Sequence, residues 1–409
     1  MVKKLKQRIQ ADQNFLYSLF IQGTNTILPL IVYLIYNNKV DSHNAGNVYY
    51  YKALLIPVAT LVDFGLNIYS SRELAKTENN LVRSKIISET ILLKLIIFSV
   101  LFLSILIYGL IFQSSILLFL SGFFLLEKLF DLFWYFQGNQ EFQKLFFYVF
   151  FSKIVLLTFV IIFINNQNYF LLPLLEGMAY AIVGSFFAYH IIKRQKGITF
   201  DLNNIIQRAK GTWKLCLSSF MNILSAKSFL LLTGLIVNPS QYLIFDVAEK
   251  VLNLAKSIIS AYEIMIAPKL YASINKNTFL LTLKKFILLV IIIFLTFQSI
   301  NFINSDVLEL ENIFYNSSRV IRILLWSLFP ITISMLFGTL FLLAKGKDGK
   351  VIFNQIIQIS LTLITFGLFL ILQSKPNIIE FSLLFVFNQI MITIIIILTN
   401  YKIFKNFFN

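Results

Sequence analysis

Seven lysines and seven acids stand inside stretches that are otherwise almost wholly apolar. The lysines are Lys52, Lys94, Lys128, Lys153, Lys227, Lys250 and Lys256; the acids are Asp63, Glu127, Asp131, Glu176, Asp246, Glu249 and Glu263. An ammonium can hold an anion, and a carboxyl in a low-dielectric setting can bind and release a proton or hold a sodium ion. Spacing along a helix sorts these groups. Lys128 adjoins Glu127 and lies three residues from Asp131, and Lys250 is four from Asp246, so they can neutralise one another locally. Lys52, Lys94, Lys153, Lys227 and Lys256 have no acid three or four residues away; Asp63, Glu176 and Glu263 have no base there. Lys52 and Lys94 lie near the ends of their runs, where an ammonium can snorkel toward headgroups. The remainder is positive, which suits an anionic ligand. The candidate binding residues are therefore Lys153, Lys227, Lys250, Lys256 and Lys52, and the candidate ion-coupling residues are Asp63, Glu176, Glu263 and Asp131.

Two helical stripes position these residues. Asp246, Glu249, Lys250, Asn253, Lys256, Ser260 and Glu263 recur at steps of three and four, giving one polar face that cannot lie against lipid. Gly177, Ala181, Gly184 and Ala188 form a face of small residues, which lets a neighbouring helix approach closely. A faint repeat at an offset of 200 residues sets Asn14, Ser18, Gln22 and Asn25 against Lys214, Ser218, Asn222 and Ser225, and Asp63 against Glu263.

The elements that carry the stripes are membrane helices. Hydrophobic residues make up 58% of the 409, charged residues 13%, and the mean hydropathy is +0.78. Soluble domains carry roughly 25% charged residues, so this chain could not cover itself in water. Twelve apolar runs are long enough to span a bilayer, at about 13–36, 47–69, 88–111, 114–136, 145–165, 169–191, 213–237, 241–265, 279–302, 320–343, 352–373 and 379–401. None alternates with period two, which excludes a strand barrel. The basic start MVKKLKQR leads into a first run with no small-residue cleavage site, so that run reads as a retained span.

Lysine and arginine concentrate in alternate connections: Arg72, Lys76, Arg83 and Lys85; Lys193, Arg194, Lys196, Arg208, Lys210 and Lys214; Lys345, Lys347 and Lys350. The opposite set holds little beyond Lys39 and Lys375 and includes the acidic stretch NSDVLELEN. This bias places both termini in the cytoplasm and accounts for the net charge of +16 without a nucleic-acid partner. The longest inner connection, 193–214, falls near mid-chain. The expected architecture is an all-α integral membrane protein of about twelve transmembrane helices, in two six-helix lobes around a central cavity: 1–192, a linker at 193–214, and 213–409.

Catalytic roles find little support. A single Cys216 excludes an internal disulfide, and His43 and His190 have no companion at ligand spacing, so no metal or cofactor is expected. No Gly-rich phosphate loop is present, and no exposed segment is long enough for a nucleotide-sugar domain.

Three motifs carry a resemblance. FDLFWYFQGNQEFQK at 130–144, ahead of YVFFSK, resembles the W-aromatic-x-Q-G-x-E signature of the polysaccharide transporter family, the O-antigen flippases, within the multidrug/oligosaccharidyl-lipid/polysaccharide exporter superfamily. It departs from the pattern at Asn139-Gln140, where an apolar residue is common. DFGLNIYSSREL at 63–74 is similar to the motif at the inner end of that family's second helix, and DVAEKVLNLAKSIISAYEIMIAPKL at 246–270 to its A-E-K helix. Within the first motif, Trp134 and Tyr135 are expected to form an interfacial aromatic belt and Gly138 to end the helix.

The resemblance implies a flippase for undecaprenyl-pyrophosphate-linked oligosaccharide units in a bacterial cytoplasmic membrane. It would work by alternating access with suspected ion antiport, for O-antigen or capsule synthesis. The implied partners are the lipid-linked oligosaccharide and membrane lipids, with a polysaccharide polymerase and a chain-length regulator as candidates; the expected state is a monomer. The alternatives are a multidrug exporter of the same superfamily, whose cationic substrates would favour an acid-rich cavity, and a membrane-bound polysaccharide polymerase.

Overall fold

The computed structural model describes residues 2–77, 79–111, 116–194, 201–272, 275–307, 313–372 and 377–408. Every regular element among them is helical. Lys196, Glu309, Glu311 and Lys375, which entered the charge-bias argument, lie outside the described residues. The helices cluster into two compact units, Met1–Ile223 and Leu224–Asn409.

Unit 1 contains α1 (Val2–Lys39), α2 (Ser42–Asp63), α3 (Leu66–Lys76) and α4 (Asn80–Ile111). A broken fourth span follows as α5 (Ile116–Ser121), a 3-10 turn (Gly122–Phe124), α6 (Leu125–Leu129) and α7 (Phe133–Gly138). The unit closes with α8 (Phe142–Phe163), α9 (Leu172–Arg194) and the first part of α10 (Leu202–Gly234). Unit 2 takes the rest of α10, then α11 (Pro239–Ala272), α12 (Lys276–Val307), α13 (Ile313–Leu325), α14 (Leu328–Met335), α15 (Phe341–Ala344), α16 (Asp348–Leu372), α17 (Ile378–Thr399) and α18 (Tyr401–Phe408).

Ten helical stretches among the described residues are long and apolar enough to cross a membrane, so this is a multi-pass membrane protein. The two other runs expected from the sequence fall on the broken fourth span and on α11, which carries five charges between Asp246 and Glu263.

Glycines set the close approaches. Between α2 and α3 the chain passes through left-handed conformations at Phe64 (φ 50°) and Gly65 (φ 73°). A Cβ on Gly65 would stand 2.7 Å from Leu215 Cβ and 2.8 Å from the Cys216 nitrogen, so this junction admits only glycine. On the small-residue face of α9, a Cβ on Gly177 would meet the Phe123 carbonyl oxygen at 2.2 Å, and one on Gly184 would meet Phe130 Cβ at 2.6 Å. The close-packing role expected of that stripe is what the fold uses.

The aromatic-belt expectation is corrected. Trp134, Tyr135 and Phe136 are 1%, 5% and 2% exposed and pack with Leu74, Tyr148, Tyr180 and Ile191 in one core cluster. Gly138 does end α7, and a Cβ there would crowd Leu74 Cβ and the Ser71 carbonyl oxygen, both at 2.9 Å. The 130–144 motif and the 63–74 motif are thus two sides of one contact between α3 and α7.

Candidate functional site

The break at Phe130–Leu132 frees backbone groups from the helical ladder. Three of these groups find side chains. Tyr148 donates its hydroxyl to the Phe130 carbonyl (2.9 Å), and Lys94 donates to the Asp131 carbonyl (3.0 Å). The Asp131 carboxylate accepts the Phe133 N–H that begins α7 (3.0 Å) and the Asn67 amide (2.9 Å). Lys94 also lies 3.2 Å from Asp63 Oδ1 and donates to Asn67 Oδ1 at 3.4 Å. Asp63 and Asp131, expected as separate ion-coupling residues, are therefore brought together around Lys94. Snorkelling is ruled out for Lys94, which is 1% exposed.

Deeper in the same unit, Lys52 pairs with Glu176 at 2.5 Å and lies 5.1 Å from the centre of the Phe124 ring. Neither residue is left over, because the partner comes from another helix: α2 supplies the lysine and α9 the carboxylate. Lys128 takes Glu127 at 3.3 Å, as its spacing implied. Lys153 is 6% exposed, sits 4.9 Å from the Tyr180 ring centre, and has no carboxylate within 4 Å among the described residues.

In unit 2 the polar stripe of α11 meets α10. Lys227 donates to both oxygens of Glu249, at 2.7 and 2.8 Å, and Lys250 pairs with Asp246 one turn away. Lys227 was expected as an unpaired cation, and this too is corrected: a bidentate partner on the adjacent helix satisfies it. Lys256 and Glu263, two turns apart on α11, have no opposite charge within 4 Å among the described residues. Among the described residues, the candidates without an opposite charge within 4 Å thus reduce to Lys153, Lys256 and Glu263.

A further charged centre was not singled out from the sequence. Arg208, near the start of α10, is 7% exposed and clamps Glu73 of α3 and Glu89 of α4, each at 2.7 Å. Its guanidinium also reaches Ser70 Oγ (3.4 Å) and lies 5.6 Å from the Tyr69 ring centre. Arg208 counted only as one of the basic residues that orient the chain. The available signal was Glu89, which falls one residue inside the third apolar run.

The sequence and the fold both have relatives. Residues 12–268 match the family described as "Polysaccharide biosynthesis protein". A protein of Shigella dysenteriae named "Putative O-antigen transporter" is 23% identical over 215 residues, covering 50% of this chain and 54% of its own length. One of the same name from Escherichia coli strain K12 is 20% identical over 285 residues, 66% of this chain and 67% of its own. The chain spans about half the length of the Shigella relative.

Among solved structures, a MATE in the bent conformation superposes with a TM-score of 0.61 at 13% identity, over 97% of this chain and 95% of its own. A MOP superfamily transporter from Pyrococcus furiosus superposes with a TM-score of 0.57 at 13% identity, over 96% and 95%. At such identity the likeness speaks to the fold. The family match extends over more than half of the sequence, and the chain belongs to the polysaccharide biosynthesis protein family.

Proposed function

We propose that this protein is a flippase that moves undecaprenyl-pyrophosphate-linked oligosaccharide units from the inner to the outer leaflet of a bacterial cytoplasmic membrane. Both termini would face the cytoplasm. The family match and the multi-pass helical fold support a transporter for surface-glycan precursors. The observation that carries the substrate reading is that two lysines, Lys153 of α8 and Lys256 of α11, have no carboxylate within 4 Å among the described residues. A charge at a helix centre costs at least about 2.5 kcal/mol, so an unpaired ammonium is kept where an anion will meet it. A diphosphate supplies that anion, and exclusion of water strengthens each contact. Lysine suits a moving anion because it is a flexible point charge rather than a fixed fork.

Ion coupling would fall to Glu263, which has no base within 4 Å among the described residues, and to the Asp63–Asp131 cluster. Glu176 is committed to Lys52 and contributes structure. The protein would act as a monomer beside a polysaccharide polymerase and a chain-length regulator. Reconstitution tests the reading. Purified protein in liposomes should move undecaprenyl-pyrophosphate-linked oligosaccharide to the opposite leaflet and should not extrude a cationic dye; dye transport without oligosaccharide movement would favour the multidrug exporter instead.

A further inference from the structure

The oxygens around Lys94 form a cage of a particular kind. Asp63 Oδ1 at the end of α2, Asn67 Oδ1 on α3 and the Asp131 carbonyl oxygen in the fourth-span break converge on one ammonium, at 3.2, 3.4 and 3.0 Å. A carboxylate, an amide oxygen and a backbone carbonyl are the donors that hard cations select. Each donor residue also has a contact other than the lysine. Asn67 is fixed by its own amide donation to Asp131 Oδ2 (2.9 Å), and its backbone N–H points to Asp63 Oδ2 (3.4 Å). Asp131 is fixed by Phe133 N–H. The contact with Asp63 Oδ1 lacks hydrogen-bond geometry, so that oxygen is held to the ammonium by charge alone. The occupant is visible: Lys94 reaches in from α4 and is 1% exposed.

We propose that Lys94 is the ion-selectivity residue of this cluster: its ammonium occupies an alkali-cation position, so the wild-type cage takes no sodium or potassium. Removing the ammonium turns the cage into an alkali-cation site. The arrangement supplies a tethered cation, which links α2, α3, α4 and the fourth-span break and bars an external alkali cation from the carboxylates. Lys128 also acts on both Asp63 and Asp131, and it is paired with Glu127. In Lys94→Ala the two carboxylates would keep only that shared cation, and a small cation is the species their oxygens fit.

For transport, this rests on the reading that Asp63 and Asp131 take part in coupling: any coupling through unit 1 would be independent of sodium. The test itself needs no transport. Wild type, Lys94→Ala and the double variant Lys94→Ala, Asp63→Asn are unfolded thermally at pH 8 in sodium, potassium or choline chloride of equal ionic strength. The expected result is a rise of about 3 °C in the midpoint of Lys94→Ala in sodium or potassium relative to choline, with wild type and the double variant indifferent to the cation. Equal midpoints for Lys94→Ala in all three salts would overturn the proposal. So would a wild-type protein that responds equally, or a Lys94→Ala chain that fails to fold in every salt. A missing shift would leave the flippase reading standing, and failure of flipping would leave the shift to be read on its own.

Discussion

The two units treat buried charge differently. In unit 1, partners come from distant helices and lock them together: α2 to α9 through Lys52–Glu176, α4 to the α2–α3 junction through Lys94, and α10 to α3 and α4 through Arg208. Lys153 sits over an aromatic ring and has no carboxylate within 4 Å among the described residues. In unit 2 the pairs Lys227–Glu249 and Lys250–Asp246 lie on α10 and α11, and Lys256 and Glu263 of the α11 stripe have no opposite charge within 4 Å among the described residues. The difference teaches that one unit uses charge as a brace, while the other keeps part of it available. Removing a group from a brace strands its partners, whereas removing an unpaired group strands nothing, so stability measurements separate the two.

The largest effect belongs to Arg208. Arg208→Gln leaves Glu73 without its cation and Glu89 with only the 3.9 Å contact to Lys85, and should cost about 3–5 kcal/mol, read as a lowered unfolding midpoint and reduced folded yield. A loss below about 1 kcal/mol would remove the brace from the comparison. Next comes the packing that the brace supports. Gly177→Val drives carbon atoms into the Phe123 carbonyl and should cost about 1–3 kcal/mol or more, with no salt dependence.

Smaller still is Asp41, the N-cap of α2 at an exposed connection. Its carboxylate accepts the Asn44 backbone N–H at 2.9 Å and the Asn44 side-chain amide at 2.6 Å. The Asn44 backbone N–H, foremost, holds that carboxyl below the usual carboxylate range. The cap's contribution should thus be complete above the ordinary carboxylate pKa and fade as pH falls through the lowered folded value. Asp41→Ala should cost about 1 kcal/mol at neutral pH, and its difference from wild type should shrink in acid. The smallest effects should fall on unit 2: Lys256→Gln and Glu263→Gln should each change stability by less than about 0.5 kcal/mol, since neither strands a partner. A loss of several kcal/mol at either would mean that both units are braced alike.

Much of the fold was legible in the sequence. Apolar run length gave the spans, and the Gly177–Ala188 stripe identified a face of close approach. The fourth run could not reveal its break, because Phe130, Asp131 and Leu132 interrupt a helix through partners on α3, α4 and α8 that no local pattern records. The candidate site was half legible. Spacing found Lys250–Asp246 and Lys128–Glu127, which lie on one helix, and missed Lys52–Glu176, Lys94–Asp63 and Lys227–Glu249, which do not. Trp134 and Tyr135 were misplaced for a related reason: amphipathic rings near a helix end suit either an interface or a core, and the neighbours decide.

The central claim is that Lys153 and Lys256 meet the substrate's diphosphate during translocation. The most direct measurement is the rate of oligosaccharide flipping in proteoliposomes by the Lys153→Gln, Lys256→Gln double variant, at protein abundance and unfolding midpoint matched to wild type. The predicted result is a loss of at least about tenfold, the equivalent of roughly 1.4 kcal/mol of lost interaction. A double variant that folds normally and flips at the wild-type rate would contradict it.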